Sequence, residues 1–167
     1  VSPGSRNTPL MLALSDQDEI ECISVVDERD SGFIALGLSK SSYLPTLVIT
    51  TSGTAAANLY PSIIEAFMTE TPLIILTADR PSHLIGTGEN QTINQHEIFG
   101  NYVQYFSDMG DLNLLDEKKI RNIAIESYKC SMGLTDRGKL SFTKGPVHLN
   151  IPFEKPLHLS SEIRNKV

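Results

Sequence analysis

Short apolar runs set between stretches of helical periodicity constrain this chain more than any other feature. Residues 20–26 (IECISVV), 46–50 (TLVIT), 72–78 (PLIILTA) and 145–152 (GPVHLNIP) are dense in Ile, Val and Leu with little polar alternation. Strands of that kind are buried on both faces, as in a parallel sheet covered by helices on either side. A weaker candidate strand is 102–107 (YVQYFS). Between these runs the apolar spacing turns helical. Leu10, Leu12, Ala13 and Leu14 mark a short helix in 6–15, and Leu59, Ile63, Ala66 and Phe67 a longer one in 54–69. Residues 30–39 are apolar almost all round, which predicts a buried helix. In 116–132 Ile120, Ile123, Ala124 and Tyr128 form one stripe, and Asp116 is the expected N-cap ahead of Glu117. Strands alternating with helices predict an α/β fold, a three-layer domain with a mainly parallel sheet flanked by helices. Residues 137–144 (RGKLSFTK) read as a polar connection before the last strand.

With 167 residues the chain is expected to form one domain, residues 1–155, with 156–167 the start of a linker leading out of it. The formal charge of −6 and the lack of a Lys/Arg cluster argue against a nucleic-acid surface. Any anionic ligand must therefore meet individually placed arginines. Cys22 and Cys130 are far apart and match no metal-ligand spacing, so reduced, buried thiols in a cytoplasmic protein are expected. No apolar run approaches the ~20 residues that span a bilayer, and the first residues do not read as a secretory signal.

In open parallel sheets, ligands bind beyond the carboxyl ends of the strands. That rule selects the loops SPGSRN (2–7), DERDSG (27–32), TSGTAAAN (51–58) and ADRPSHLIGTGENQT (78–92), each mixing Gly or Pro with charged or hydroxyl residues. Glu28 directly follows an apolar run. It reads either as a helix-start carboxylate stabilised by backbone N–H groups or as a partly buried acid of raised pKa exchanging protons with a ligand nitrogen. The small residues after Gly53 permit tight helix–sheet packing or close backbone approach to a ligand. The loop lacks the Gly-Lys-Ser/Thr ending of a P-loop, and no G-x-G-x-x-G occurs. Arg6 and Arg80 both fall in strand-end loops, where arginines can hold carboxylates bidentately. Asn90 and Gln91 add neutral amides that could form turns or orient a carbonyl, while His83 and His96 read as surface or structural.

Taken together, SPGSRNTPL, DERDSGFIALGLSKSS, TSGTAAANLYPSIIEA, PLIILTADRP and GENQTINQ resemble one family, and the likeness covers nearly the whole chain. It is the N-terminal pyrimidine-binding domain of the 2-succinyl-5-enolpyruvyl-6-hydroxy-3-cyclohexene-1-carboxylate synthase (MenD) family. The arginine in PGSR and the ENQT stretch point there rather than to acetolactate synthase or pyruvate decarboxylase. The resemblance implies the thiamin-diphosphate-binding fold, with the domain here lacking its first helix and most of its first strand. It also implies that Pro3 to Arg6 are weakly held. By the same resemblance Glu28 is catalytic, sharing a proton with N1′ of the cofactor's aminopyrimidine. Pro3, Gly4, Ser52, Gly53 and Thr54 would lie near the cofactor. Ser5, Arg6, Arg80, Asn90 and Gln91 would belong to the substrate pocket. The implied enzyme is a transferase of menaquinone biosynthesis that decarboxylates 2-oxoglutarate and adds the succinyl unit to isochorismate. Its Mg2+ (or Mn2+) would be bound by a C-terminal domain, with no metal ligand in this chain, and its active site shared between subunits of a homodimer or tetramer. The piece alone is expected to be inactive. Two alternatives stand beside it: another thiamin-diphosphate carboligase or decarboxylase of smaller 2-oxo acids, and a non-catalytic α/β binding domain.

Overall fold

The computed structural model describes residues 1–134, 138 and 143–157. Its centre is a four-stranded parallel sheet of β1 (Thr46–Thr50), β2 (Leu73–Asp79), β3 (Tyr105–Asp108) and β4 (Pro146–Pro152), in the order β1-β2-β4-β3. The helices are α1 (Thr8–Ser15), α2 (Glu28–Ser42), α3 (Thr54–Asn58), α4 (Tyr60–Met68) and α5 (Glu117–Met132). Alternation along the strands sorts side chains into two layers. On one face Val48, Leu73 and Ile75 pack with Ala35 and Leu36 of α2, Ile63 and Ala66 of α4, and Phe99. On the other, Leu149 and Ile151 pack with Met109, with Leu10 of α1 and Ile123 of α5 against them. The expected three-layer α/β architecture is therefore the one observed.

Register explains a change along the first face. Ile75 lies opposite His148, Thr77 opposite Asn150 and Asp79 opposite Pro152. Apolar at its amino end, this face becomes polar at its carboxyl end, where the candidate loops gather.

Local chemistry sets the helix ends. Asp116 caps α5 by accepting the Lys119 N–H at 2.7 Å, and Gly133 closes it at φ 64°. The helix expected at 30–39 starts earlier, because Asp27 accepts the Arg29 N–H at 2.9 Å and makes Glu28 the first helical residue. The helix expected at 54–69 is two helices. Pro61 has no N–H to continue the ladder, so the chain breaks at Leu59.

The run at 20–26 is not a strand. Its neighbour is Val1, whose ammonium donates to the Ile23 carbonyl at 2.8 Å and whose carbonyl accepts from Val25 N–H at 2.9 Å, while Ser2 N–H donates to Ile49 of β1. These bonds form no ladder, and Val26 is 85% exposed. Cys22 is correspondingly exposed and Cys130 half-buried, against the expectation of buried thiols. Most of the connection at 137–144 and of the tail at 156–167 lies outside the described residues.

Candidate active site

The loop of residues 2–7 is latched rather than loose. Asn7 is fully buried; its Oδ1 accepts the Gly4 N–H at 3.0 Å and its Nδ2 donates to the Ser2 carbonyl at 2.9 Å. Gly4 sits so tightly on β1's exit that an added Cβ would run into the Thr51 side chain. Pro3 and Ser5 face solvent, the Ser5 carbonyl accepting from the Thr8 hydroxyl at 2.8 Å.

From this loop Arg6 turns inward and Arg80 meets it from the end of β2, both more than nine-tenths buried. Arg6 Nη1 donates to the Phe153 carbonyl at 2.7 Å. Arg80 Nη1 donates to Ser52 Oγ and, at 2.9 Å, to the Gln91 carbonyl, while its buried Nε has no hydrogen-bond partner. Neither guanidinium forms a salt bridge with a carboxylate among the described residues. Burial, followed by the neighbouring Arg80 charge, holds the pKa of Arg6 below its ordinary value. Two buried cations that repel each other make a site for an anion.

Between them the chain turns from β1 into α3. Gly53 adopts φ 81° and ψ −139°, a conformation open essentially to glycine alone. A Cβ there would lie 2.8 Å from Gln91 Cγ and 2.9 Å from the Gln91 carbonyl oxygen. Gln91 Nε2 donates to the Ser52 carbonyl at 2.9 Å, and the Gly53 N–H donates to Gln95 Oε1 at 2.7 Å. The Gly53 N–H is thus occupied from within, and the absent side chain leaves room for Gln91 to pack on the turn. Thr54 is exposed at the start of α3, and Asn90 is exposed beside Gln91.

Behind the turn lies a buried polar chain. Thr77 gives its single hydroxyl proton to Asn150 Oδ1 at 2.9 Å, so His148 Nε2–H must donate to Thr77 at 2.7 Å. That leaves His148 Nδ1 bare and unpartnered, and burial pushes the His148 pKa down to about 3. Asn150 Nδ2 donates to Asp79 at 2.9 Å and to Asp108 at 3.1 Å. Burial raises the pKa of Asp79 despite the bonds from Asn150 and the Arg80 N–H. His83 is exposed, and exposed His96 lies 3.6 Å from Asp108 and edge-on to Phe106.

Glu28 belongs to a separate cluster. Because Asp27 caps α2, the Glu28 carboxylate is released from the helix start, and its Oε2 accepts from Asn58 Nδ2 at 3.3 Å. Its Oε1 has no hydrogen-bond partner among the described residues. The residue is half-buried. A carboxyl with one oxygen steadied and the other open can accept a proton from, or return it to, a nitrogen base laid against it. The first of its two sequence readings, stabilisation by backbone N–H groups, describes Asp27 instead.

Asn7, Asn58, Gln95 and Asn150 were not singled out from sequence. Asn150 and His148 carried a signal, being polar in an otherwise apolar strand; the other three look like ordinary loop or helix-end amides.

A family described as "Thiamine pyrophosphate enzyme, N-terminal TPP binding domain" matches residues 1–98. Among curated proteins, the 2-succinyl-5-enolpyruvyl-6-hydroxy-3-cyclohexene-1-carboxylate synthase of Halobacterium salinarum is 44% identical over 94% of this chain and 26% of its own length. The same synthase of Bacillus pumilus is 45% identical over 94% of this chain and 26% of its own length. The chain thus spans 26% of the length of these relatives. Among solved structures, benzoylformate decarboxylase from Polynucleobacter necessarius superposes with a TM-score of 0.70 over 95% of this chain and 29% of that one, at 18% identity. That last likeness concerns the fold.

Proposed function

The chain belongs to the thiamine pyrophosphate enzymes, as an N-terminal TPP binding domain, and on that premise we propose that it is the pyrimidine-binding part of a 2-succinyl-5-enolpyruvyl-6-hydroxy-3-cyclohexene-1-carboxylate synthase. The observation that carries the proposal is the pair of buried guanidinium groups, Arg6 and Arg80, without a carboxylate partner among the described residues. Substrates bearing several carboxylates, 2-oxoglutarate and isochorismate, have the charge such a pair lacks. Identity above 40% to the synthases supports the same choice.

Glu28 fits the cofactor: its Oε1 is open and its Oε2 is held by Asn58. In this reading it hydrogen-bonds the aminopyrimidine of thiamin diphosphate and moves a proton at that ring nitrogen. When bound, the cofactor supplies the carbanion chemistry that decarboxylates a 2-oxo acid and transfers the remainder. Pro3, Gly4, Ser52, Gly53 and Thr54 shape the adjoining wall, with Gly4 packed on Thr51 and Gly53 on Gln91. Arg6 and Arg80 bind substrate carboxylates, and Ser5, Asn90 and Gln91 line the mouth.

Residues 1–155 would then form the pyrimidine-binding domain and 156–167 open a linker toward domains that hold Mg2+ or Mn2+ through the cofactor's diphosphate. Half-exposed Phe33, Ile34 and Leu38 on α2, with Val26 before it, give an apolar surface suited to another subunit of a homodimer or tetramer. The proposed enzyme would act in the cytoplasm; no helix among the described residues is long and apolar enough to cross a membrane.

The test is whether the full-length protein carrying this chain consumes isochorismate together with 2-oxoglutarate and releases CO2. Turnover of pyruvate alone would assign it to another carboligase or decarboxylase of 2-oxo acids. No cofactor-dependent turnover would make it a binding domain.

A further inference from the structure

The loop that supplies Gln91 also supplies Gln95, and the two amides grip the carbonyl and the N–H of the one peptide group that joins Ser52 to Gly53. They differ in setting. Gln91 is exposed, whereas Gln95 is fully buried. Its Nε2 donates to the Ala78 carbonyl at 3.3 Å and to Asn150 Oδ1 at 2.9 Å, and its Oε1 accepts the Gly53 N–H. The donor directions are fixed, since Asn150 Oδ1 and the Ala78 oxygen can only accept. Gln95 therefore ties β2, β4 and the turn after β1 together at the sheet's carboxyl edge. Ser52, whose hydroxyl receives Arg80 Nη1, is the residue before the amide it holds.

We propose that Gln95 is a positioning residue: by holding the Gly53 N–H it sets the Ser52–Gly53 turn and, through Ser52, the aim of the Arg80 guanidinium toward an anionic substrate. The consequence for substrate rests on the reading of Arg80 given above; the clamp on Gly53 does not. Gln95→Met keeps length and apolar volume but loses all three hydrogen bonds. Gln95→Glu keeps an acceptor for Gly53 but, when ionised, sets a negative charge against the Ala78 and Asn150 oxygens. Protonation of the introduced carboxyl restores one donor.

The experiment is hydrogen exchange at the Gly53 amide of the full-length protein, with steady-state kinetics on 2-oxoglutarate and isochorismate. In the unsubstituted protein the Gly53 amide should be strongly protected. In Gln95→Met its exchange should rise about tenfold or more, and KM for an anionic substrate should rise about tenfold with kcat changed less than about threefold, the scale of one lost hydrogen bond. In Gln95→Glu the KM defect should shrink as pH falls, relative to the unsubstituted enzyme. Rapid Gly53 exchange in the unsubstituted protein overturns the clamp, whether or not either variant folds. Faster exchange in Gln95→Met with unchanged KM overturns the link to Arg80, as does a pH-independent defect in Gln95→Glu. A protein that makes no product from these substrates overturns the proposed function, while Gly53 exchange still decides the clamp.

Discussion

The arginine cluster and the glutamate cluster are built in opposite ways. Arg6 and Arg80 are buried, and the loops that carry them are fastened by Asn7, Gln91, Gln95 and the chain running to His148. Glu28 is half-buried, steadied by Asn58, and follows a segment whose Ile20, Ile23 and Val26 lie open. The half that would recognise charge is fastened by bonds within this chain. The half that would move a proton awaits other surfaces. Substitutions in the first should therefore disturb stability and binding together, and those in the second should disturb chemistry alone.

The largest effect is expected at Glu28. In Glu28→Gln the size is kept and the proton exchange is lost, so turnover of the full-length enzyme should fall by about 1,000-fold with no loss of thermal stability. Retained turnover breaks the assignment of chemistry to this half. Arg80→Gln should raise KM for an anionic substrate by about 100-fold, and Arg80→Lys should not restore it, because an ammonium lacks the planar fork that can hold a carboxylate bidentately while Nη1 stays on Ser52 and Gln91. Full recovery in the lysine variant would remove the geometric part of the argument. Gly53→Ala should lower stability by about 1–3 kcal/mol, read by urea unfolding of the chain, because φ 81° and the Gln91 contact both oppose a side chain.

The most gradual expected effect is a pH slope. Unfolded His148 binds a proton below about pH 6.5, whereas native His148 resists it until about 3. Over that window the unfolded state holds more protons, so stability falls as pH falls from about 6.5 toward 3, by at most about 1.4 kcal/mol per pH unit. Asp79 acts in the other direction: with its folded pKa raised, the native state takes up a proton before the unfolded state does, adding stability as pH falls through the folded pKa. Asp79→Asn should thus steepen the acid slope of unfolding free energy, and a shallower slope would reverse the roles given to these two groups.

Much of the fold was legible because apolar runs without alternation specify buried parallel strands, and four of the five candidate segments form the sheet. The run at 20–26 failed because hydrophobicity reports the wish to be buried, whereas a strand also needs a laddered neighbour, and this run makes only two backbone bonds to Val1 in place of a ladder. The split at Leu59 was readable from Pro61 but hidden by the periodicity that continues across it. At the site, loop composition found the arginines and Gly53. Composition could not separate Asp27 from Glu28, since which of two adjacent acids caps a helix is decided by backbone angle, here φ −84° and ψ 123° at Asp27. Nor could it find Gln95, whose partners lie on three other segments of the chain.

That early break at Leu59 leaves α3 a helix of five residues, begun by Gly53 and ended by Asn58. At about 1.5 Å per residue, its ends are about 6 Å apart. One end is gripped by Gln95 and the other touches the carboxylate of Glu28. Under the proposed reading the short helix is a spacer of fixed length between where charge would be held and where a proton would move, and lengthening it would part the two halves without touching a residue of either.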